Sequence, residues 1–107
     1  MPEGRTWTFL TNHANVLFCI ERDNSARIRD IAERVGITER AAQKILRDLE
    51  QEGYISVAKR GRRNTYRVHT SRPLRHSFQK GYSVGDLLHA LPPPPQGGRP
   101  SRRRGER

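Results

Sequence analysis

Apolar residues recur along the first half of this chain at three-and-four spacing, and turn-forming residues bound each run. That period lines one face of a helix against a core. From about Thr11 to Arg22, the residues Ala14, Leu17 and Phe18 set such a stripe, and Val16 and Ile20 widen it. Thr11 suits the N-cap, where a side-chain oxygen accepts an otherwise orphaned backbone N–H. Asp23, Asn24 and Ser25 end the run, because short polar side chains bond their own backbone in turns. A second run places Ile28, Ile31, Ala32 and Val35 on one face, with Arg29, Glu33 and Arg34 outward. Arg27 stands where a Ser or Thr cap is expected, and Asp30 in the first turn complements the helix dipole instead. Gly36 follows and tolerates the left-handed conformation that closes many helices. Ile37 then turns back toward the core.

The third run opens with Thr38 as N-cap and Glu39 in its first turn. Ala42, Ile45, Leu46 and Leu49 form its apolar stripe. Arg40, Gln43, Lys44 and Arg47 repeat the same spacing, displaced by two positions. Two positions on a helix are about 200°, so the two sets lie on opposite faces. Gly53 closes this element, and the period then shortens. Tyr54 to Val57 and Thr65 to Val68 alternate as strand residues do, with Tyr66 and Val68 on one face. Between them stand Lys59, Arg60, Gly61, Arg62, Arg63 and Asn64, where Gly and Asn supply the backbone freedom of a hairpin turn. Residues 70–81 show no clear period, and Pro73 argues against a helix across them. A last short helix is expected from Val84 to Leu91. Ser83 and Asp86 have capping-box spacing there, and Val84, Leu87, Leu88 and Leu91 share a face. Pro92 to Pro95 stop it. Residues 1–91 thus read as one α+β domain: a three-helix core, a two-stranded β wing and a short C-terminal helix. This is the order of a winged helix-turn-helix, a unit that reads duplex DNA. Residues 92–107, rich in Pro and Arg, are too polar to build a core and read as a disordered basic tail.

The charge distribution sharpens that picture. The chain has 107 residues, 33% of them apolar, and a formal charge of +10. So lean a domain buries a modest core and often gains stability from a second copy. Residues 1–53 carry 8 Lys/Arg against 9 Asp/Glu, residues 54–91 carry 8 against Asp86 alone, and the tail carries 5 Arg against Glu106. All of the excess lies in the wing and beyond it, which favours a polyanionic partner. Cys19 is the single cysteine, so no internal disulfide forms and a reducing cytoplasm is expected. Nothing resembles a signal peptide, and Phe9 to Ile20 is too short and interrupted to span a membrane.

A recognition helix needs one apolar face to anchor it and one polar face to enter a groove. B-DNA's major groove, about 12 Å wide, admits such a helix. Arg bonds two acceptors on guanine and Gln pairs with adenine, so Arg40, Gln43 and Lys44 are the candidate base contacts. Arg47 suits a phosphate, and Thr38 with the nearby backbone N–H groups meets another. Taken alone, such a face is as often plain solvent surface; the turn before it and the hairpin after it shift the balance. Lys59, Arg60, Arg62 and Arg63 suit the phosphate backbone or a narrow minor groove. His13, His69, His76 and His89 form no compact ligand motif with Cys19, so no metal or other cofactor is expected. No nucleophile–base pair, carboxylate pair or phosphate-cradling Gly loop points to an enzyme. The apolar face Leu87, Leu88 and Leu91, with Trp7, Phe9 and Leu10, either covers its own core or meets a second copy. Dimerisation is the favoured reading, and two-fold symmetry then expects half-sites about one DNA turn apart.

In the stretches IRDIAERVGITERAAQKILRDLEQEGYI and KRGRRNTYRV the chain resembles the MarR-type winged-helix transcriptional regulators. The resemblance runs from Trp7 to Leu91. It implies cytoplasmic, nucleoid-associated, sequence-specific binding of double-stranded DNA by a homodimer. It sets Thr38 to Arg47 as the recognition helix and Lys59 to Asn64 as the wing tip. Full-length members carry long flanking helices that build a dimer and an effector pocket. This chain has one short helix after the wing, so a small-molecule effector is not expected. Two rivals belong to other classes: a winged-helix protein-interaction module that docks polymerase or replication proteins, and an RNA binder using Tyr66.

Overall fold

The computed structural model describes residues 8–91. Four α-helices and one hairpin follow in order: α1 Asn12–Arg22, α2 Ile28–Val35, α3 Glu39–Gln51, β1 Ile55–Arg60, β2 Arg63–Val68 and α4 Val84–Ala90. Trp7 and the expected basic tail, residues 92–107, lie outside the described residues.

The caps form where the side-chain chemistry calls for them. Thr11 accepts from the Ala14 N–H and Thr38 from the Ala41 N–H. The start of α2 has no side-chain cap. There Arg27 Nε donates to Asp30 at 3.2 Å, and that bond holds the Asp30 carboxyl below the usual carboxylate range. Gly36 adopts φ 87°, and its N–H and that of Ile37 both reach the Ala32 carbonyl. The turn therefore satisfies the Ala32 carbonyl near the end of α2 while swinging α3 across it.

The core collects one stripe from each element. Val16, Leu17, Phe18 and Ile20 of α1 meet Ile31 and Ala32 of α2 and all four stripe residues of α3, Ala42, Ile45, Leu46 and Leu49. Tyr54, Ile55 and Tyr66 bring the base of the hairpin onto this cluster, and Val84 and Leu88 bring α4. Ile28, Val35 and Ile37 pack at its rim.

The strands run further than alternation alone suggests. β1 and β2 pair antiparallel from Ile55↔Val68 to Arg60↔Arg63, so only Gly61 and Arg62 remain in the turn. Gly61 has φ 60° at the first turn position, where a side chain is disfavoured. Asn64 is no turn residue: it pairs with Lys59 in the ladder. The far edge of β2 is closed by Tyr66 N–H on the Asn24 carbonyl at 2.8 Å.

Residues 70–83 hold α4 in place through backbone bonds. The Val84 N–H meets the Arg72 carbonyl and the Gly85 N–H the Thr70 carbonyl, both at 2.8 Å. Tyr54 Oη donates to the Pro73 carbonyl, and Arg72 lies over the Tyr54 ring while donating to the Glu52 carbonyl at 2.7 Å. The capping box of Ser83 and Asp86 forms in both directions. One isolated bridge and a single 3₁₀ turn, Ser77–Gln79, are the regular structure between β2 and α4.

Candidate nucleic-acid interface

α3 presents two chemistries on opposite sides. Its apolar stripe is buried, and Arg40, Gln43, Lys44 and Arg47 are all exposed. Thr38, at the helix start, is exposed as well. Among the described residues, the side chains of Arg40, Gln43 and Arg47 make no hydrogen bond or ion pair. They are thus available to an external ligand without losing an internal partner. Lys44 is different. Its Nζ lies 3.2 Å from Asp48 Oδ2 and 3.4 Å from Oδ1.

The wing sorts its cations by strand register. Paired residues share a face, so Arg60 and Arg63 stand together with Arg67, Thr65, Ala58 and Ser56 on the outer side. Lys59 and Asn64 continue the inner side that carries Tyr66 and Ile55 into the core. Arg62 sits in the turn and is exposed. Lys59, Arg60 and Arg62 make no side-chain bond or ion pair among the described residues. Arg63 is partly committed to the fold, because its Nη1 donates to the Ser25 carbonyl at 3.0 Å. Arg67 was not among the sequence candidates. Strand alternation carried the signal, since its position matches that of Arg63 four residues earlier.

Asp48 and His13 were also missed. His13 Nε2 lies 2.9 Å from Asp48 Oδ2. This hydrogen bond, and then that of Lys44, holds the Asp48 carboxyl below the usual carboxylate range. No sequence signal joins two residues this far apart. The remaining histidines serve local geometry: His69 bonds Ser56 Oγ, His76 caps the 3₁₀ turn, and His89 bonds the Gly85 carbonyl. Among the described residues no group of three or more His, Cys, Asp or Glu gathers as a metal site. Cys19 is half-buried, and that burial pushes its thiol above the ordinary range.

The expected dimer residues separate into two kinds. Leu88 is buried in its own core, and Leu87 and Leu10 are partly buried against that core. Phe9, at 92% exposed, and Leu91, at 47%, remain on the surface. Among the described residues no helix is long and apolar enough to cross a membrane.

Residues 11–56 match the family model described as winged helix-turn-helix DNA-binding. No curated protein matches the chain. Among solved structures, the crystal structure of the zinc-dependent MarR family transcriptional regulator AdcR in its Zn(II)-bound state is similar at 20% sequence identity, with a TM-score of 0.44. The alignment covers 61% of this chain and 47% of that one, so this chain matches about half the length of that regulator. From the caps of α1 and α3, the buried stripes and the paired wing, the chain has the winged helix-turn-helix fold, and its residues 11–56 are similar to the DNA-binding family of that fold.

Proposed function

We propose that this protein is a transcriptional regulator that binds specific duplex DNA sequences. α3 lies in the major groove, and the wing lies along the backbone or in the adjacent minor groove. The observation that carries the reading is the division of α3: four buried apolar residues opposite Arg40, Gln43, Lys44 and Arg47, beside a hairpin whose Lys59, Arg60 and Arg62 have no internal partner among the described residues. Arg40 and Gln43 supply the donor and acceptor patterns that distinguish base edges. Thr38, Arg47 and the wing cations supply phosphate contacts that set register. Lys44 contributes when released from Asp48.

Two copies bound to a two-fold operator fit this reading, with Leu91 an exposed member of the expected dimer face. Selection of bound sequences from a random duplex pool at near-physiological salt tests the whole proposal. A reproducible consensus that changes with Arg40→Ala supports it, and an inverted repeat in that consensus supports the dimer. Recovery of no sequence above background would remove the assignment and favour the protein-docking alternative.

A further inference from the structure

The recognition helix carries a carboxylate beside its cations. Asp48 lies about 80° around α3 from Arg40, on the flank that turns toward α1. It is met from both sides: by His13 Nε2 of the first turn of α1 at 2.9 Å, and by Lys44 Nζ of its own helix at 3.2 Å. Lys44 is 69% exposed, so the same ammonium has two partners within reach, Asp48 or a phosphate. Without a cation on it, Asp48 repels a nucleic-acid backbone.

We propose that Asp48 and His13 are positioning residues for Lys44: the carboxylate holds the ammonium back along the helix, and a proton on His13 releases it toward DNA. This rests on the DNA-reading role of α3. An imidazole changes charge between about pH 5 and 8. Neutral His13 leaves Lys44 as the cation that balances Asp48. Protonated His13 takes over that balance, frees Lys44 and adds a positive charge to the rim of the interface. Affinity for DNA therefore rises as pH falls through this window. The charged groups that act on Asp48 are His13 and Lys44. Asp48 stays ionised throughout the window, because both partners hold its carboxyl low. Of the other elements packed on α1, neither α2 nor β2 brings a carboxylate within ion-pair distance of His13 among the described residues.

The test titrates a labelled random-sequence duplex at about pH 6 and about pH 8 at fixed ionic strength. Wild type should bind about two- to fivefold tighter at the lower pH, the effect of one surface charge. His13→Gln should lose most of that ratio with His69, His76 and His89 left in place. Asp48→Asn should bind tighter than wild type at the higher pH, with a salt slope steeper by about one contact. A His13→Gln variant that keeps the wild-type pH ratio overturns the proposal, as does an Asp48→Asn variant with unchanged affinity. A readout without DNA separates this idea from the DNA assignment. The Lys44 ammonium should be ordered by NMR in wild type at the higher pH and mobile in Asp48→Asn. A mobile Lys44 in wild type refutes the clasp itself. An ordered Lys44 in a protein that binds no duplex refutes the DNA reading, and the proposed control of affinity with it.

Discussion

Replacing Arg62 with alanine removes a guanidinium from the exposed two-residue turn of the hairpin, where no described residue engages it. The fold should not register the loss. DNA binding should, in a specific way. Each phosphate neutralised contributes about −0.9 to the slope of log affinity against log salt, so Arg62→Ala should flatten the slope by about 0.9. Between about 50 and 200 mM salt, one contact then accounts for about a 3.5-fold difference in how steeply affinity falls. The loss should be the same on a random duplex and on a selected one, because a phosphate contact carries no base information. Arg63→Ala is the informative control. Its Nη1 is bonded to the Ser25 carbonyl, so its removal should cost about 0.5–1.5 kcal/mol of stability and change the slope less than Arg62→Ala does. The assay is fluorescence anisotropy over a salt series, paired with thermal unfolding of each variant. The reasoning fails if Arg62→Ala keeps the wild-type slope, or if Arg63→Ala flattens it more while leaving stability untouched.

Other outcomes follow from single features. Gly36→Ala forces a side chain into the left-handed region at φ 87° and should destabilise the fold by about 1–2 kcal/mol in a denaturant titration. Gly85→Ala places a Cβ 3.1 Å from both the Thr70 side chain and its carbonyl oxygen, so Thr70 must give by a few tenths of an ångström; a loss of about 1 kcal/mol and faster amide exchange from Val84 to Ala90 are expected. Thr38→Ala removes the cap on the Ala41 N–H and should cost about 1 kcal/mol in the same measurement. For Asp48, the depressed carboxyl pKa gives stability that is present above its unfolded value and lost as pH falls through the folded one. The gap in Tm between wild type and Asp48→Asn should therefore be open at neutral pH and close below about pH 4.

Helix positions were legible because burial on a helix leaves a period, and all four stripe residues of α3 are buried as that period requires. The cationic face was legible by the same arithmetic. The wing was less so. Lys59, Arg60, Arg63 and Asn64 have no strong strand preference, and it is the ladder with their partners that extends both strands to the turn. An amphipathic face cannot say what covers it, and this is why Leu88 reads in sequence as interface before core, whereas the structure buries it within one subunit. The contacts of Arg63 with Ser25 and of His13 with Asp48 join residues distant in the chain. Such pairings depend on how elements dock, and no local pattern encodes them. They also refine the interface, since they mark Arg63 and Lys44 as cations with internal partners and leave Arg40, Arg47, Lys59, Arg60 and Arg62 as candidate cations without one among the described residues.

The most direct measurement is an amide and side-chain chemical-shift map of the protein titrated with a duplex recovered by selection. The account predicts the largest changes at Thr38 to Arg47 and at Lys59 to Arg62, with small ones across residues 70–82 at the opposite end of the hairpin. Changes concentrated on residues 70–82 or on Phe9 and Leu91, with α3 and the turn of the wing unmoved, would contradict it.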